Sequence, residues 1–351
     1  MQIKTKKNTM PKATSARTDG VVTLSMVAQL ANVSPSTVSR ILNGTAIVSE
    51  DKKLAVAQAV QTLGFVPNPV ARGLAGGRTF SIGVITQAID SPFYGSALRG
   101  IEDALDPLGY SPLFVSGHWS EASETRCLEV LRSRRVDGVI VLTGRLSDQA
   151  LETFAKTTPI VVTGRDLQAP GLYALNFDNF EGGRLATEHL IDQGHRQIAF
   201  ISGDPAHPDA TERLRGYRHA LDKAGIAYNA DLVVQGEYSE LSGLRAVDHL
   251  FEGRQHFTAI FAGNDQMAFG AALGLKRHGL RVPDDVSLIG FDDLPSSVYA
   301  NPPLTTVHQP AYELGCLAAA AILELLSGKQ PSMAIPAPRL ISRESSRRIS
   351  G

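Results

Sequence analysis

Hydrophobic and polar positions along the chain fall into two textures. Between Thr23 and Gly64 apolar residues recur at helical spacing. In TLSMVAQLA, Leu24, Val27, Ala28 and Ala31 share one face, with Thr23 placed to cap the helix start. Asn32-Val33 interrupts the pattern and Ser34-Pro35 restarts it, because Ser caps well and Pro is tolerated at the first helical position. The second helix, PSTVSRILN, turns Val38, Ile41 and Leu42 inward and presents Ser36, Thr37 and Arg40. Asn43-Gly44 stops it. Two short helices and a tight turn make a helix-turn-helix, a spacing that any αα-hairpin shares. Ser49 is placed to cap a third helix running to about Leu63, with Leu54, Ala57, Val60 and Leu63 on one face and Gly64 ending it.

The segment VPNPVARGLAGGRT opens a further helix at Asn68-Pro69 but soon meets Gly73, Gly76 and Gly77. Each glycine costs about 1 kcal/mol in a helix interior, and so short a helix is marginal in water. Residues 66–79 therefore read as a hinge, helical when something orders it. From Phe80 the second texture begins, with short apolar runs alternating with helical stretches. SIGVI, SPLFVSG, DGVIVLTG, PIVVTG, QIAFISG, LVVQGEY, TAIFAGN and VSLIGFDD read as strands. ALRGIEDALDPLG, ETRCLEVLRSR, EGGRLATEHLIDQG, ERLRGYRHALDKAG, SGLRAVDHLFEG and MAFGAALGLKRHG read as helices between them. Strand–helix alternation implies parallel sheets, and some 270 residues of it imply two doubly wound α/β lobes. Ligands of such folds sit at the carboxyl ends of strands, where Asp178, Asn264, Asp292 and Asp293 fall.

Charge sharpens this division. Of the 34 Lys and Arg, ten lie in residues 1–80, against three of the 35 acidic residues, so a basic head precedes an acidic body. A polyanion is the partner such a head implies. Residues 1–22 read as a disordered basic tail, 23–65 as a helix-turn-helix head and 80–351 as a two-lobed ligand-binding domain. No apolar run follows the N-terminal lysines as a secretory signal requires, and no window approaches a membrane span, so a cytoplasmic protein is expected. The two cysteines, Cys127 and Cys316, are too few and too far apart for a disulfide framework. His118, His195, His207 and His308 are scattered, and no nucleophile elbow or phosphate loop is present. An enzyme is not expected, and neither a cofactor nor a metal is implied.

The succession TLSMVAQLANVSPSTVSRILNG, GFVPNPVARGL, SPFYGSALRGIEDAL, FDNFEGGRLATEHLIDQGHRQIAFISG, RLRGYRHAL, AGNDQMAFGA, VPDDVSLIGFDD and LTTVHQP resembles the LacI/GalR family, over residues 23 to about 345. The resemblance implies a helix-turn-helix headpiece, a hinge helix and a periplasmic-binding-protein-like effector domain. It further implies a homodimer on a pseudo-palindromic double-stranded DNA operator. A recognition helix reads bases from its exposed N-terminal turns, here Pro35, Ser36 and Arg40. Arg40 suits guanine O6 and N7, Ser36 a base edge, and Pro35 apolar contact. Thr37, Ser39 and Asn43 suit phosphates. In the family's pattern Leu74 is the hinge leucine that wedges into the minor groove beside Ala71. Gly73 departs from the commoner serine or alanine there.

The same resemblance places Asn264, Asp292 and Arg213 where sugar-responsive members bind hydroxyls, Tyr238 at the stacking position, and Phe93 and Tyr94 on the opposite lobe. Asp178 and Asp209 are further candidates. Gly164 replaces an aspartate common in the family, with Arg165 beside it as a substitute. These residues imply a transcriptional regulator, a repressor of sugar-utilisation genes released by a small sugar or glycoside. A purine or other metabolite is the alternative effector. A solute-binding protein shares the two-lobed fold but lacks the headpiece.

Overall fold

The structure, a computed structural model, describes residues 22–42, 46–65 and 78–349. The chain divides into two compact units, Met1–Arg78 and Thr79–Gly351. In the first unit, α1 (Leu24–Leu30), α2 (Pro35–Leu42) and α3 (Glu50–Leu63) enclose Val27, Ala28, Val38, Val56, Ala59 and Phe65. Burying one such Val or Phe contributes about 1.5–3 kcal/mol, so this small core rests on few side chains. Thr23 Oγ1 accepts from the Met26 amide at 3.4 Å, and Ser34 Oγ from the Thr37 amide at 3.1 Å. These bonds satisfy amides that the first helical turns leave unpaired. Gly64 closes α3 at φ 62°, in the left-handed conformation a glycine adopts without steric cost.

The inward face of α3 differs from the one expected. Leu54 is 60% exposed, and the buried stripe runs through Val56 and Ala59 with Val60 and Leu63 half-buried beside them. The i, i+3, i+4, i+7 spacing that begins at Val56 fits the groove between α1 and α2. Ser49 holds the N-cap position of α3 without a side-chain capping bond. The Asn43-Gly44 stop and most of the 66–79 hinge lie outside the described residues.

In the second unit, one lobe is a five-stranded parallel sheet. Its strands are β1 (Ser81–Thr86), β2 (Ser111–Ser116), β3 (Gly138–Val141), β4 (Ile160–Thr163) and β5 (Leu172–Leu175), in the order β2-β1-β3-β4-β5. Its helices are α4 (Pro92–Leu105), α5 (Glu121–Ser133) and α6 (Asp148–Ala155). The other lobe carries α7 (Asn179–Asp192), β6 (Ile198–Ser202), α8 (Pro208–Lys223), β7 (Val233–Gln235), α9 (Glu240–Glu252), β8 (Ala259–Ala262), α10 (Asp265–Arg277), β9 (Ser287–Asp292) and β10 (Thr305–His308). Then α11 (Ala311–Leu326) returns to pack on α4, and β11 (Arg339–Ile341) closes a second sheet, ordered β11-β10-β9-β8-β6-β7. All its pairings are parallel except β10–β11.

Burial explains the strand order. The central strands β3, β4, β6, β8 and β9 are buried at every position, as strands covered on both faces must be, and they are the continuous apolar runs of the sequence. Edge strands β2, β7 and β11 are mixed. The eight expected strands are present, and β5, β10 and β11 are added. The chain passes between the lobes after β5, after β10 and after α11. Those passages bring the carboxyl ends of the two sheets to face one another.

Candidate functional site

In the first unit the exposed side of α2 is the chemically armed surface. Pro35, Ser36 and Arg40 are exposed, while Thr37 and Ser39 are half-buried. Ser34 Oγ lies 2.8 Å from both Ser36 Oγ and Thr37 Oγ1, and Arg40 Nε donates to the Ser36 carbonyl at 3.3 Å. The hydroxyls and the guanidinium thus gather over the first turns of one helix, with Lys52 and Lys53 exposed on α3. Asn43, Ala71 and Leu74 lie outside the described residues.

In the second unit a cavity of about 240 Å³ opens between the lobes. Its walls are loops that follow parallel strands. Phe93 and Tyr94 come after β1, Trp119 after β2, His207, Asp209 and Arg213 after β6, Tyr238 after β7, Asn264 after β8, and Asp292 ends β9. This is where ligands of doubly wound sheets bind. Seven of the residues expected from sequence therefore share one cavity, namely Phe93, Tyr94, Asp209, Arg213, Tyr238, Asn264 and Asp292.

Arg213 is its electrostatic centre. Its Nε donates to Asn179 Oδ1 at 2.8 Å, one terminal nitrogen to the Gly263 carbonyl and the other to Gln309 Oε1 at 3.0 Å. Its guanidinium carbon lies 3.7 Å from the centre of the Phe291 ring. Close packing of α7 on α8 fixes this position, because a Cβ on Gly216 would stand 2.1 Å from the Phe180 carbonyl oxygen. Asp209 and Asp292 line the same cavity, close enough for the charge of the guanidinium to act on both. Burial pushes both carboxyls up, Asp292 well above the ordinary carboxylate range, while Arg213 pulls both down. Among the described residues the Asp292 carboxyl accepts no hydrogen bond. Its backbone sits at φ 108°, a strained conformation of the kind that clusters at functional sites. Asn264 Oδ1 accepts from the Met267 amide at 2.9 Å to cap α10, and its Nδ2 donates to the Tyr238 carbonyl at 3.1 Å. One N–H and one lone pair of that amide stay available.

Arg165 and Asp178 are not brought to this cavity. Both line a separate, more open recess with Arg145 and Glu212. Arg165 donates to Asp148 at 2.9 Å and to the Gly144 carbonyl at 2.6 Å, and Asp178 caps α7 by accepting from the Glu181 amide at 2.8 Å. A strand-end aspartate beginning a helix has its backbone amides as the nearest donors, and Asp178 takes them.

Trp119 and His207 are among the cavity residues that the sequence reading did not place there, as are Asp90, Glu237 and Gln266. The Trp119 ring stacks on His207 at 3.8 Å from the opposite lobe, and the Tyr238 ring lies within 11° of parallel to the imidazole at 5.8 Å. Beside them Arg145 of one lobe donates to Asp204 of the other at 2.6 Å. The signal was available, since Trp119 and His207 each follow an apolar run that was read as a strand. Among the described residues no three His, Cys, Asp or Glu side chains group to hold a metal ion, and no helix is long and apolar enough to cross a membrane.

A helix-turn-helix head followed by a two-lobed cleft defines a DNA-binding transcriptional regulator with an effector domain. Residues 23–68 match the bacterial regulatory proteins, lacI family, and residues 187–346 match the periplasmic binding protein-like domain. The chain is 35% identical over 299 residues to catabolite control protein A of Priestia megaterium, covering 85% of this chain and 90% of that one. It is 34% identical over 331 residues to the HTH-type transcriptional repressor PurR of Aliivibrio fischeri, covering 93% and 98%. Among solved structures, the lac repressor dimer bound to operator and the anti-inducer ONPF superposes with a TM-score of 0.86 at 31% identity, covering 93% and 100%. A transcriptional regulator CelR–cellobiose complex does so at 0.69 with 34% identity, covering 92% and 99%. The chain belongs to the LacI family of DNA-binding transcriptional regulators.

Proposed function

We propose that this regulator represses sugar-utilisation genes and leaves its operator when a small sugar or glycoside enters the cleft. The observation that carries the reading is one cavity wall that gathers Arg213, Asp209 and Asp292 with the rings of Phe93, Tyr94, Trp119 and Tyr238. Paired carboxylates and a guanidinium match the donors and acceptors of adjacent sugar hydroxyls, and a ring covers a sugar's apolar face. The likeness to a cellobiose-bound regulator supports the same class. The likeness to PurR repressors supports a purine as the second reading.

On DNA, Arg40 and Ser36 read base edges, Pro35 makes apolar contact, and Thr37, Ser39 and Asn43 hold phosphates. Residues 66–79 form the hinge, with Leu74 wedged beside Ala71 in the minor groove. The operator is a pseudo-palindrome bound by a homodimer, a reading supported by the lac repressor dimer on its operator. Leu113 and Phe114, each 36% exposed on edge strand β2, suit a second copy. Arg165 and Asp178 act from the outer recess rather than as direct ligands.

A thermal-shift panel of mono- and disaccharides, β-glucosides and nucleobases tests the effector. Ligand at 100 times its Kd stabilises by about 2.7 kcal/mol. A sugar that raises the melting temperature and releases operator in a gel shift is expected, whereas a response to nucleobases alone selects the purine. Leu74→Ala is expected to weaken operator binding and leave ligand affinity unchanged.

A further inference from the structure

His207 is 5% exposed, yet neither ring nitrogen has a hydrogen-bond partner, and the buried Tyr238 hydroxyl beside it has none either. Folded proteins seldom leave such atoms unpaired, and those that remain ask for an explanation. Both side chains line the cavity that holds Arg213 and Asp292. Stacking by Trp119 and Tyr238 holds the plane of the imidazole and so limits the directions its nitrogens can take. We infer that His207 is the specificity-determining residue of the cleft, meeting hydroxyls of an unphosphorylated sugar, a step that rests on the sugar reading above.

A neutral imidazole offers one N–H donor and one acceptor. A hydroxyl answers either, which a carboxylate or a phosphate, as acceptors, does not. Burial lowers the pKa of His207, so the ring is neutral at pH 7. The charges around it disfavour an anion as well. Asp209 and Asp292 face the cavity, Asp204 lies against the ring, Arg145 is paired with Asp204, and Arg213 is already bonded to three neighbours. A phosphate brings about −1.5 to −2 charges at neutral pH and meets, on the described cavity wall, the carboxyls of Asp90, Asp209, Glu237 and Asp292 against the single guanidinium of Arg213.

The test is calorimetric titration of the full chain with D-glucose, cellobiose, an aryl β-glucoside, hypoxanthine and glucose 6-phosphate. His207→Phe keeps the ring stack and removes both nitrogens. Its ligand-free melting temperature is expected to equal or exceed that of the wild type, since an apolar ring removes two unpaired polar atoms. Its Kd for the sugar that binds the wild type is expected to rise at least tenfold, with part of the loss recovered in His207→Gln. An unchanged Kd in the Phe variant overturns the inference, as does glucose 6-phosphate binding the wild type as tightly as glucose. Should the Phe variant melt far below the wild type, His207→Gln decides. Retained sugar binding then supports the inference and its loss overturns it. Wild-type binding of hypoxanthine and of no sugar overturns the sugar reading itself, and that outcome is read without any variant.

Discussion

Asp265 shows how one buried carboxyl shapes the cleft without touching ligand. It is fully buried, accepting from the Leu294 amide at 2.8 Å and from the Ser297 and Thr306 hydroxyls at 2.6 Å each. It thereby pins the turn that follows Asp292 at the end of β9. Burial outweighs those bonds and pushes its pKa up to about 6. The folded chain therefore binds this proton more tightly than the unfolded one. Its stabilisation is fully present below about pH 4 and is lost as pH rises through 6, a contribution of roughly 3 kcal/mol. Urea midpoints compared at pH 5 and pH 7 should favour pH 5 by a margin that shrinks in Asp265→Asn; an equal margin in both proteins refutes the assignment. Residues at this scale were legible when a strand end placed them. Asn264 and Asp292 were read that way and Arg213 from the family resemblance, whereas Arg165 and Asp178 lie near strand ends but bond to neighbours on their own side of the recess. His207 was passed over because it lies a few residues beyond the end of β6 and was weighed with the other scattered histidines rather than by that strand end.

Among elements, the α7–α8 pair sets the position of Arg213. Gly216 is where α7 passes closest, its absent Cβ replaced by the Phe180 carbonyl and the Arg184 amide. Gly216→Ala forces the helices apart and is expected to cost about 1–3 kcal/mol, as overpacking does. Ligand affinity should fall with it because the guanidinium moves. Denaturant titration and calorimetry on the same variant check both, and a variant as stable as the wild type refutes the close-packing account. Central strands were easy to read because burial on both faces demands an unbroken apolar run. β5, β10 and β11 were not, being three or four residues long and rich in Thr, Tyr or Arg. The α3 face was misjudged because Ala57 and Leu54 are apolar without being inward.

Across the whole effector unit, the lobes are joined on one side by three chain passages and beside the cavity by Arg145–Asp204 and Trp119–His207. The ion pair is about one-third exposed on each side chain, so its stability contribution is at most about 1 kcal/mol. Its effect should be kinetic. Arg145→Met is expected to leave the melting temperature within a few degrees and to speed ligand entry roughly three- to tenfold by easing lobe opening, as lid motions gate access. Stopped-flow association decides this, and an unchanged rate refutes a gate. The two-lobed architecture was legible from alternation alone. The pairing across the cleft was not, since it joins residues 59 and 88 positions apart that share no local pattern.

Trp119 is the only tryptophan in the sequence, and it is stacked on an imidazole across the boundary between the lobes. The protein therefore carries a built-in optical probe of its own allosteric state, free of background from any second indole. A neutral imidazole quenches indole emission weakly and a protonated one strongly, so intensity should hold at pH 7 and fall as acid reaches the lowered pKa of His207. Ligand entry should shift the emission in the same time window as lobe movement. Titrations that leave both intensity and wavelength flat would show that this ring pair does not part when the effector binds.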